Sequence, residues 1–126
     1  MPEIITAIHI DITTEYIEQQ SQPDDARFVY AYTITIENRG DQAAQLLRRY
    51  WKIVDSNNAV QEVEGVGVIG EQPRLAPGEK YQYTSGVVLA TDTGMMEGSY
   101  TMLGANGAEF EATIPAFALV KRSALH

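Results

Sequence analysis

Residues 59–89 read AVQEVEGVGVIGEQPRLAPGEKYQYTSGVVL and contain, without interruption, a glycine-rich turn, a proline-glycine turn and an aromatic strand. Residues 65–70 match G-x-G-x-x-G, which in dinucleotide-binding proteins requires a preceding strand and a helix that opens on the last glycine. Here a Pro-Gly pair follows at 77–78, and residues 81–85 alternate with the period of a strand. The glycines are therefore predicted to bend one strand into the next.

A second hypothesis makes the glycine-rich turn an anion site. Backbone amides of such a turn can form a nest that accepts pyrophosphate or a nucleotide phosphate. The candidate residues are Gly65, Gly67 and Gly70, with Arg74 as the nearby cation. Three glutamates flank the glycines, and residues 59–72 contain no lysine or arginine, so a phosphate would meet like charge.

Composition excludes several classes of function. The 126 residues contain no cysteine, which removes thiol chemistry, thiolate metal sites and disulfides and is compatible with a cytoplasmic location. Seventeen acidic and nine basic residues give a net charge of −8, which disfavours nucleic acid or an anionic membrane as a partner. The N-terminus lacks the features of a signal peptide, and no apolar run reaches the length of a membrane span. We expect a soluble cytoplasmic protein.

Alternation of polar and apolar residues predicts a succession of strands. The predicted strands are 4–17, 27–37, 45–55, 59–68, 80–89, 98–105 and 108–114, and the last is expected to end at Pro115. A polar loop is predicted at 18–26, a short hairpin loop with a left-handed Gly40 at 38–41, and a type II turn at Pro77-Gly78. Asn106-Gly107 predicts a type I′ hairpin turn.

The same alternation places sets of side chains on one face of each strand, and Trp51 and the last of these sets are expected in the core. The sets are Ile8, Ile10 and Ile12; Phe28, Tyr30, Tyr32, Ile34 and Ile36; Leu47, Trp51 and Ile53; and Tyr100, Met102, Phe110, Ala112 and Ile114. Seven or eight short antiparallel strands without a convincing helix indicate an all-β sandwich of the immunoglobulin or fibronectin type III kind. A small closed barrel is the alternative. Residues 1–126 are expected to form one domain, and an unpaired edge strand could pair across a two-fold axis to make a homodimer.

Few residues suggest chemistry. His9 and Asp11 share one face of the first strand, so they could bind a divalent cation such as Mg²⁺ if a neighbouring strand supplied a third ligand. Ser85 precedes Gly86 but lacks the G-x-S-x-G context of a nucleophile elbow. We predict no catalytic cluster and no cofactor.

Exposed aromatic and methionine side chains suggest protein binding instead. The seven tyrosines lie in or beside predicted strands, and most are expected to pack with the hydroxyl at the surface. Met95 and Met96 are predicted in a loop flanked by Gly94 and Gly98. An exposed subset of these residues would form a protein-binding patch.

Several sequence blocks in a fixed order resemble the bacterial ApaG family, also called the DUF525 domain. The blocks are TITIENRG, GEQP, L-x-PGE, YTSG, GSY and IPAF, and the match covers nearly the whole chain. The matching positions are Asn38, Trp51, Gly65, Gly67, Gly70, Glu71, Gln72, Pro73, Pro77, Gly78, Ser85, Gly86 and Pro115. Tyr50 departs from the family, which often has histidine before the tryptophan.

The resemblance implies a fibronectin type III-like sandwich and an association with cobalt resistance and magnesium efflux. It also implies a gene that often neighbours that of a diadenosine tetraphosphate hydrolase, and a domain that recurs in eukaryotic F-box and polymerase-interacting proteins. A pyrophosphate site has been suggested for the family's glycine motif. We therefore favour a non-enzymatic protein-interaction module that uses exposed tyrosines and the loops at 65–70 and 92–98, and the alternative is a small-ligand binder.

Overall fold

The structure, a computed structural model, describes residues 7–121, and within them the chain forms eight β-strands. The strands are β1 (Ile8–Tyr16), β2 (Phe28–Asn38), β3 (Ala44–Asp55), β4 (Val60–Val66), β5 (Arg74–Leu75), β6 (Lys80–Leu89), β7 (Thr93–Gly104) and β8 (Glu109–Val120). Two short 3-10 turns separate β1 from β2, and no α-helix occurs in the described range. No helix in this range is long and apolar enough to cross a membrane. The all-β prediction is confirmed, while the predicted strand start at residue 4 lies outside the described residues.

The strands form two antiparallel sheets. The first sheet has the order β1-β2-β6, and the second has the order β4-β3-β7-β8 with the short β5 also paired to β3. Because β7 occupies one edge of β3, both β4 and β5 pair with its other edge. The two separate sheets confirm the sandwich and not the closed barrel.

The core lies between the two sheets and is rich in aromatic side chains. Tyr30, Ile34 and Ile36 of β2 are fully buried, and the rings of Tyr32 and Trp51 meet edge to face with centroids 5.4 Å apart. Large aromatic side chains bury the most apolar area per residue, so they dominate the stability of such a core. Trp51 and the predicted core positions in β7 and β8 are confirmed, and the set on one face of β2 also lies in the core, with Phe28 and Phe110 packed at its margin.

A bulge in β3 changes which of its two adjacent leucines is buried. The pairing of β3 with β7 shifts between Leu46 and Arg48, so the alternation of the strand is interrupted at Leu47. Leu46 is 1% exposed and belongs to the core, whereas Leu47 is only half-buried. The extra residue of a bulge inverts the pattern on one side of it, so Leu46 takes the buried position, where uninterrupted alternation places Leu47 on the face of Trp51.

The segment after β2 does not form the predicted hairpin, because it crosses from the first sheet to the second. Asn38 is the buried polar side chain that holds this crossing: its Nδ2 donates to the carbonyl oxygens of Gln42 at 2.8 Å and Leu75 at 3.0 Å. The Gly40 amide donates to Asn38 Oδ1 at 3.0 Å, and Gly40 does not have the predicted left-handed conformation.

The hairpin between β7 and β8 uses a different turn from the predicted type I′ pair. The Gly107 amide donates to the Gly104 carbonyl at 3.0 Å and the Gly104 amide to the Ala108 carbonyl at 2.9 Å. Gly107 has a φ of 82°, whereas Asn106 does not have a positive φ. This is a three-residue loop with glycine at its left-handed position, the next most common hairpin after the two-residue kind.

Strands β7 and β8 are longer than predicted. β7 begins at Thr93, so Met95 and Met96 lie in a strand and not in a loop. β8 continues through Pro115 to Val120, and the β7–β8 register shifts at that point. Proline is tolerated at a bulge or on an edge strand because no ladder hydrogen bond is lost there. The added length completes the outer face of the second sheet.

Candidate interaction surface

An apolar row runs across the outer face of the second sheet. Val54 of β3 pairs with Val60 of β4 and with Met95 of β7, and Met95 pairs with Ala118 of β8. Directly paired residues point to the same face of a sheet, so the four side chains form a continuous line, which Val120 extends along β8. We call these five residues the apolar row. Val60, Met95 and Val120 are 53%, 50% and 41% exposed.

The apolar row borders an open concavity of about 490 Å³. Its apolar lining includes Met95, Ala116 and Ala118, and its polar lining includes Lys52 and Glu97. An apolar centre with a charged rim is the usual composition of a protein interface. The sequence indicated Met95 but not the other residues of the row, because β7 and β8 were predicted to be too short to cross the face.

The opposite end of the same face is polar. Arg48 forms an ion pair with Glu109 at 2.9 Å, and the Tyr50 hydroxyl donates to Glu62 Oε2 at 2.6 Å. The hydrogen bond to Glu62 is the main cause that raises the pKa of Tyr50. Val66, which pairs with Arg48, is 69% exposed at this end, but its neighbours on the face are polar or charged, whereas the apolar row is continuous.

β4 is an edge strand with unusual apolar exposure. Four of the seven large apolar side chains that are exposed among residues 7–121 lie on β4 or in the turn after it, namely Val60, Val63, Val66 and Ile69. Every β4 residue other than Gly65 is exposed. Val60 and Val66 lie on the outer face of β4 and Val63 on its inner side, so these side chains flank the strand on both faces and do not form one patch.

The glycine-rich turn uses several of its amides within the fold. The Gly67 amide donates to the Leu47 carbonyl at 2.8 Å, and Val68 and Glu71 exchange two backbone hydrogen bonds of 2.8 and 2.9 Å. Between them Ile69 and Gly70 have φ values of 41° and 81°, as in a two-residue type I′ hairpin turn. The predicted pyrophosphate site at Gly65, Gly67 and Gly70 stays a prediction, with the Gly67 amide already bonded to Leu47.

The cation in contact with this turn is Arg49. Its Nη1 donates to the carbonyl oxygens of Gly67 at 2.9 Å and Val66 at 3.3 Å, and its guanidinium lies over Gly65. The turn therefore directs carbonyl oxygens towards a cation. The predicted cation, Arg74, lies in β5, where its backbone is opposite Gln45 of β3 in the strand register. Arg49 lies opposite Gly65 in the β3–β4 register, which the sequence does not give, so no sequence signal pointed to this arginine.

His9 and Asp11 lie together as predicted. His9 Nε2 is 3.0 Å from Asp11 Oδ1, and the two side chains are 38% and 70% exposed. Glu37 pairs with His9 on β2, but its carboxylate accepts from Arg39 at 2.8 Å. No group of three His, Asp or Glu side chains with metal-binding geometry occurs within residues 7–121, so the metal hypothesis has only its two predicted ligands.

The tyrosine hydroxyls are more buried than predicted. Tyr83 and Tyr100 bond to each other through their hydroxyls at 2.5 Å, and Tyr30 donates to the Asp92 carbonyl at 2.6 Å. Burial raises the pKa of Tyr83 and Tyr100 far above the ordinary value and that of Tyr30 to about 12. Since Tyr30, Tyr32, Tyr83 and Tyr100 are buried, the predicted patch of exposed tyrosines is restricted to the partly exposed Tyr16, Tyr50 and Tyr81.

Nothing in the described part of the chain points to catalysis. Ser85 lies in β6 opposite Tyr32, and within residues 7–121 its hydroxyl has no hydrogen bond to a histidine or a carboxylate. A serine nucleophile needs such a base within hydrogen-bond reach.

Comparison with known proteins gives consistent matches. The family model described as ApaG domain matches residues 18–104. Protein ApaG of Pseudomonas paraeruginosa is 53% identical over 119 residues, 94% of each chain, and Protein ApaG of Shewanella piezotolerans is 51% identical over 126 residues, the whole of both. The crystal structure of the putative ApaA protein from Bordetella pertussis is 44% identical, with a TM-score of 0.90 over 92% of this chain and 94% of that one. An X-ray structure of a structural-genomics target is 47% identical, with a TM-score of 0.92 over 98% and 94%.

Proposed function

The chain belongs to the ApaG domain family, and we propose that it is a non-enzymatic protein-interaction module that binds its partner through the apolar row. The observation that supports the proposal is the continuity of the row across β4, β3, β7 and β8. Single exposed apolar residues are ordinary on a protein surface, but a contiguous set is not.

The charged neighbours of the row support a protein partner over a small apolar ligand. Lys52 and Glu97 lie directly beside the row on paired positions of β3 and β7. Charges at a rim orient a protein partner and suppress wrong ones while contributing little to affinity. A partner in the cytoplasm fits a chain without cysteines.

The same role offers an explanation for the family's association with cobalt resistance and magnesium efflux. The described residues bring no third ligand to His9 and Asp11. We therefore place the effect on cations in the partner, with this chain acting through binding it. Small-ligand binding at the glycine-rich turn remains the alternative, and no further contact of the described chain favours it.

Site-specific photo-crosslinking tests the proposal. A photoreactive phenylalanine analogue replaces Met95, and in a matched chain it replaces Val88, which is 41% exposed on the first sheet. In a lysate of Pseudomonas aeruginosa, which carries a 52% identical relative, we expect one discrete adduct from position 95 and none from position 88. Identical adducts from both positions, or none from position 95, would refute the apolar row as the binding surface.

A further inference from the structure

We propose that the edge of β4 that faces away from β3, with which no other strand among residues 7–121 pairs, binds an extended basic segment of the partner, which adds to the second sheet as one more strand. The inference rests on the proposed function, because it assumes that the partner is a protein. This inference differs from the proposed function in its site and its chemistry. Backbone hydrogen bonds along β4 would supply affinity, and alternate side chains would supply specificity.

The backbone of β4 has hydrogen-bonding groups that point away from the sheet. The Asp55 amide donates to the Ala59 carbonyl at 3.1 Å and the Gly67 amide to the Leu47 carbonyl at 2.8 Å, so these pairs mark the bonded positions of the β3–β4 ladder. Bonded and non-bonded pairs alternate in an antiparallel ladder. The register from Arg48↔Val66 to Val54↔Val60 is continuous, so the N–H and C=O groups of Glu62 and Glu64 face away from β3.

The edge of β4 is protected only by acidic side chains. Natural edge strands are blunted by proline, by a bulge or by charged side chains, most often lysine. At the other edge of the same sheet β8 has Pro115 and a register shift. β4 has no proline, no basic residue and an uninterrupted register over seven residues. The charges on this edge, Glu62 and Glu64, disfavour an acidic strand and leave the edge open to a basic one.

The charge of β4 indicates the composition of the strand that would be added. Glu62 and Glu64 lie on the outer face of β4, where the side chains of an added strand would stand directly beside them. Lysine or arginine at alternate positions would pair with these carboxylates, and at Glu62 it would join the Tyr50 hydroxyl that already donates to Oε2. Between them Val63, 38% exposed on the inner side, offers an apolar contact to the intervening residue. The occupant is therefore a segment in which basic and β-branched residues alternate.

A second copy of the chain fits this edge poorly. Antiparallel pairing of two β4 strands about Val63, with their outer faces aligned, places Glu62 opposite Glu64 of the other copy at two points. Like charges directly opposite are destabilising, and each chain carries a net charge of −8. The homodimer predicted from an unpaired edge is thus the less favourable occupant.

The test uses a capped heptapeptide of alternating lysine and valine, added to the isotope-labelled protein and followed by amide chemical shifts and hydrogen exchange. We expect saturable shifts along β4, with slower exchange of the Glu62 and Glu64 amides. The matched control peptide alternates glutamate and valine and should bind at least about tenfold more weakly, because both facing charges become repulsive. Equal binding of the two peptides, or shifts confined to β8, would overturn the proposal.

A protein variant tests the backbone contact directly. Glu64→Pro removes an N–H that faces away from β3, so the β3–β4 ladder keeps its hydrogen bonds while the edge loses a donor. We expect peptide binding to fall at least about tenfold, whereas Glu64→Gln should lower it only about threefold through lost charge. A lysine-valine peptide whose lysines are methylated at the backbone nitrogen supplies the same test on the wild-type protein. If this peptide binds as well as the unmethylated one, the edge contact is refuted.

The outcomes also separate the edge from the apolar row. If the crosslink at Met95 forms but Glu64→Pro binds the peptide like the wild type, the edge inference fails and the proposed function stands. If the peptide binds β4 but no crosslink forms at Met95, the apolar row is not the main surface that binds the partner. A dimer in sedimentation equilibrium that Glu64→Pro dissociates would replace the basic segment with a second copy.

Discussion

The guanidinium of Arg49 lies over the backbone of Gly65, so a Cβ atom at position 65 would stand 2.7 Å from Arg49 Nη1. The same nitrogen donates to the Gly67 carbonyl at 2.9 Å. The absence of a side chain at position 65 thus makes room for an arginine that ties β3 to the glycine-rich turn. The glycine motif has a structural role in this contact that needs no phosphate.

Gly65→Ala should lower the free energy of unfolding by about 1 kcal/mol, because the guanidinium, at the end of a flexible side chain, can move away from the added methyl group and loses only its bonds to two carbonyl oxygens. Urea denaturation measures the loss. In the Arg49→Ala background the same change should cost clearly less, since the clash and the hydrogen bonds are already gone. Additive effects of the two substitutions would show that Arg49 and Gly65 are not coupled.

Gly67→Ala should destabilise the protein by at least about 1 kcal/mol more than Gly70→Ala. Both glycines have a positive φ, so both alanines carry the same kind of backbone strain. A Cβ at position 67 would also collide with the Glu71 carbonyl oxygen, whereas nothing lies within 4 Å of one at position 70. Thermal unfolding of the two variants compares them, and equal losses would contradict the contact at position 67.

Titration of the Tyr30 hydroxyl should lower the free energy of unfolding as the pH rises from 10 to 12. Burial, with the nearby Asp92 as a lesser cause, raises the pKa of this hydroxyl from 10.0 to about 12. In that window the unfolded chain releases the proton while the folded chain retains it, so the free energy of unfolding falls. Urea titrations across this window should show a shallower fall for Tyr30→Phe, although that variant is less stable at neutral pH because the bond to the Asp92 carbonyl is lost. Parallel curves would refute the assignment.

Met96→Ala should cost about 2–5 kcal/mol, and Met95→Ala less than about 0.5 kcal/mol. The two methionines are neighbours in β7 with opposite faces, since Met96 is 1% exposed and Met95 is 50% exposed. Denaturant midpoints of the two variants provide the comparison. Similar small losses would indicate the loop that the sequence suggested in place of the strand.

The parts of the fold that the sequence predicts are those where simple alternation holds. β6 has the predicted bounds, residues 80–89, and Trp51 is buried as predicted, because both belong to uninterrupted period-two patterns. The Ala76-Pro77-Gly78-Glu79 turn also has the predicted geometry, with a φ of 86° at Gly78 and a 2.9 Å bond from the Glu79 amide to the Ala76 carbonyl.

The parts that could not be predicted depend on contacts between distant strands. The bulge at Leu47 inverts the pattern without a local signal. Gly94 and Gly98 suggest a loop, but a Cβ at Gly98 would collide with the Tyr50 carbonyl, so that glycine permits the close approach of β3 to β7. The apolar row needs the registers of β4, β3, β7 and β8 together, and the position of Arg49 over Gly65 needs the β3–β4 register. Sequence alone gives none of these pairings.

The most direct test of the interaction surface is the dissociation constant of the crosslinked partner for Met95→Lys and Val88→Lys, measured by calorimetry. Both substitutions place a lysine at an exposed apolar position, one in the apolar row and one on the other sheet. We predict affinity at least about tenfold weaker for Met95→Lys, because a charge enters the centre of the interface, and a change below about twofold for Val88→Lys. Equal dissociation constants for the two variants would contradict the apolar row as the site of binding.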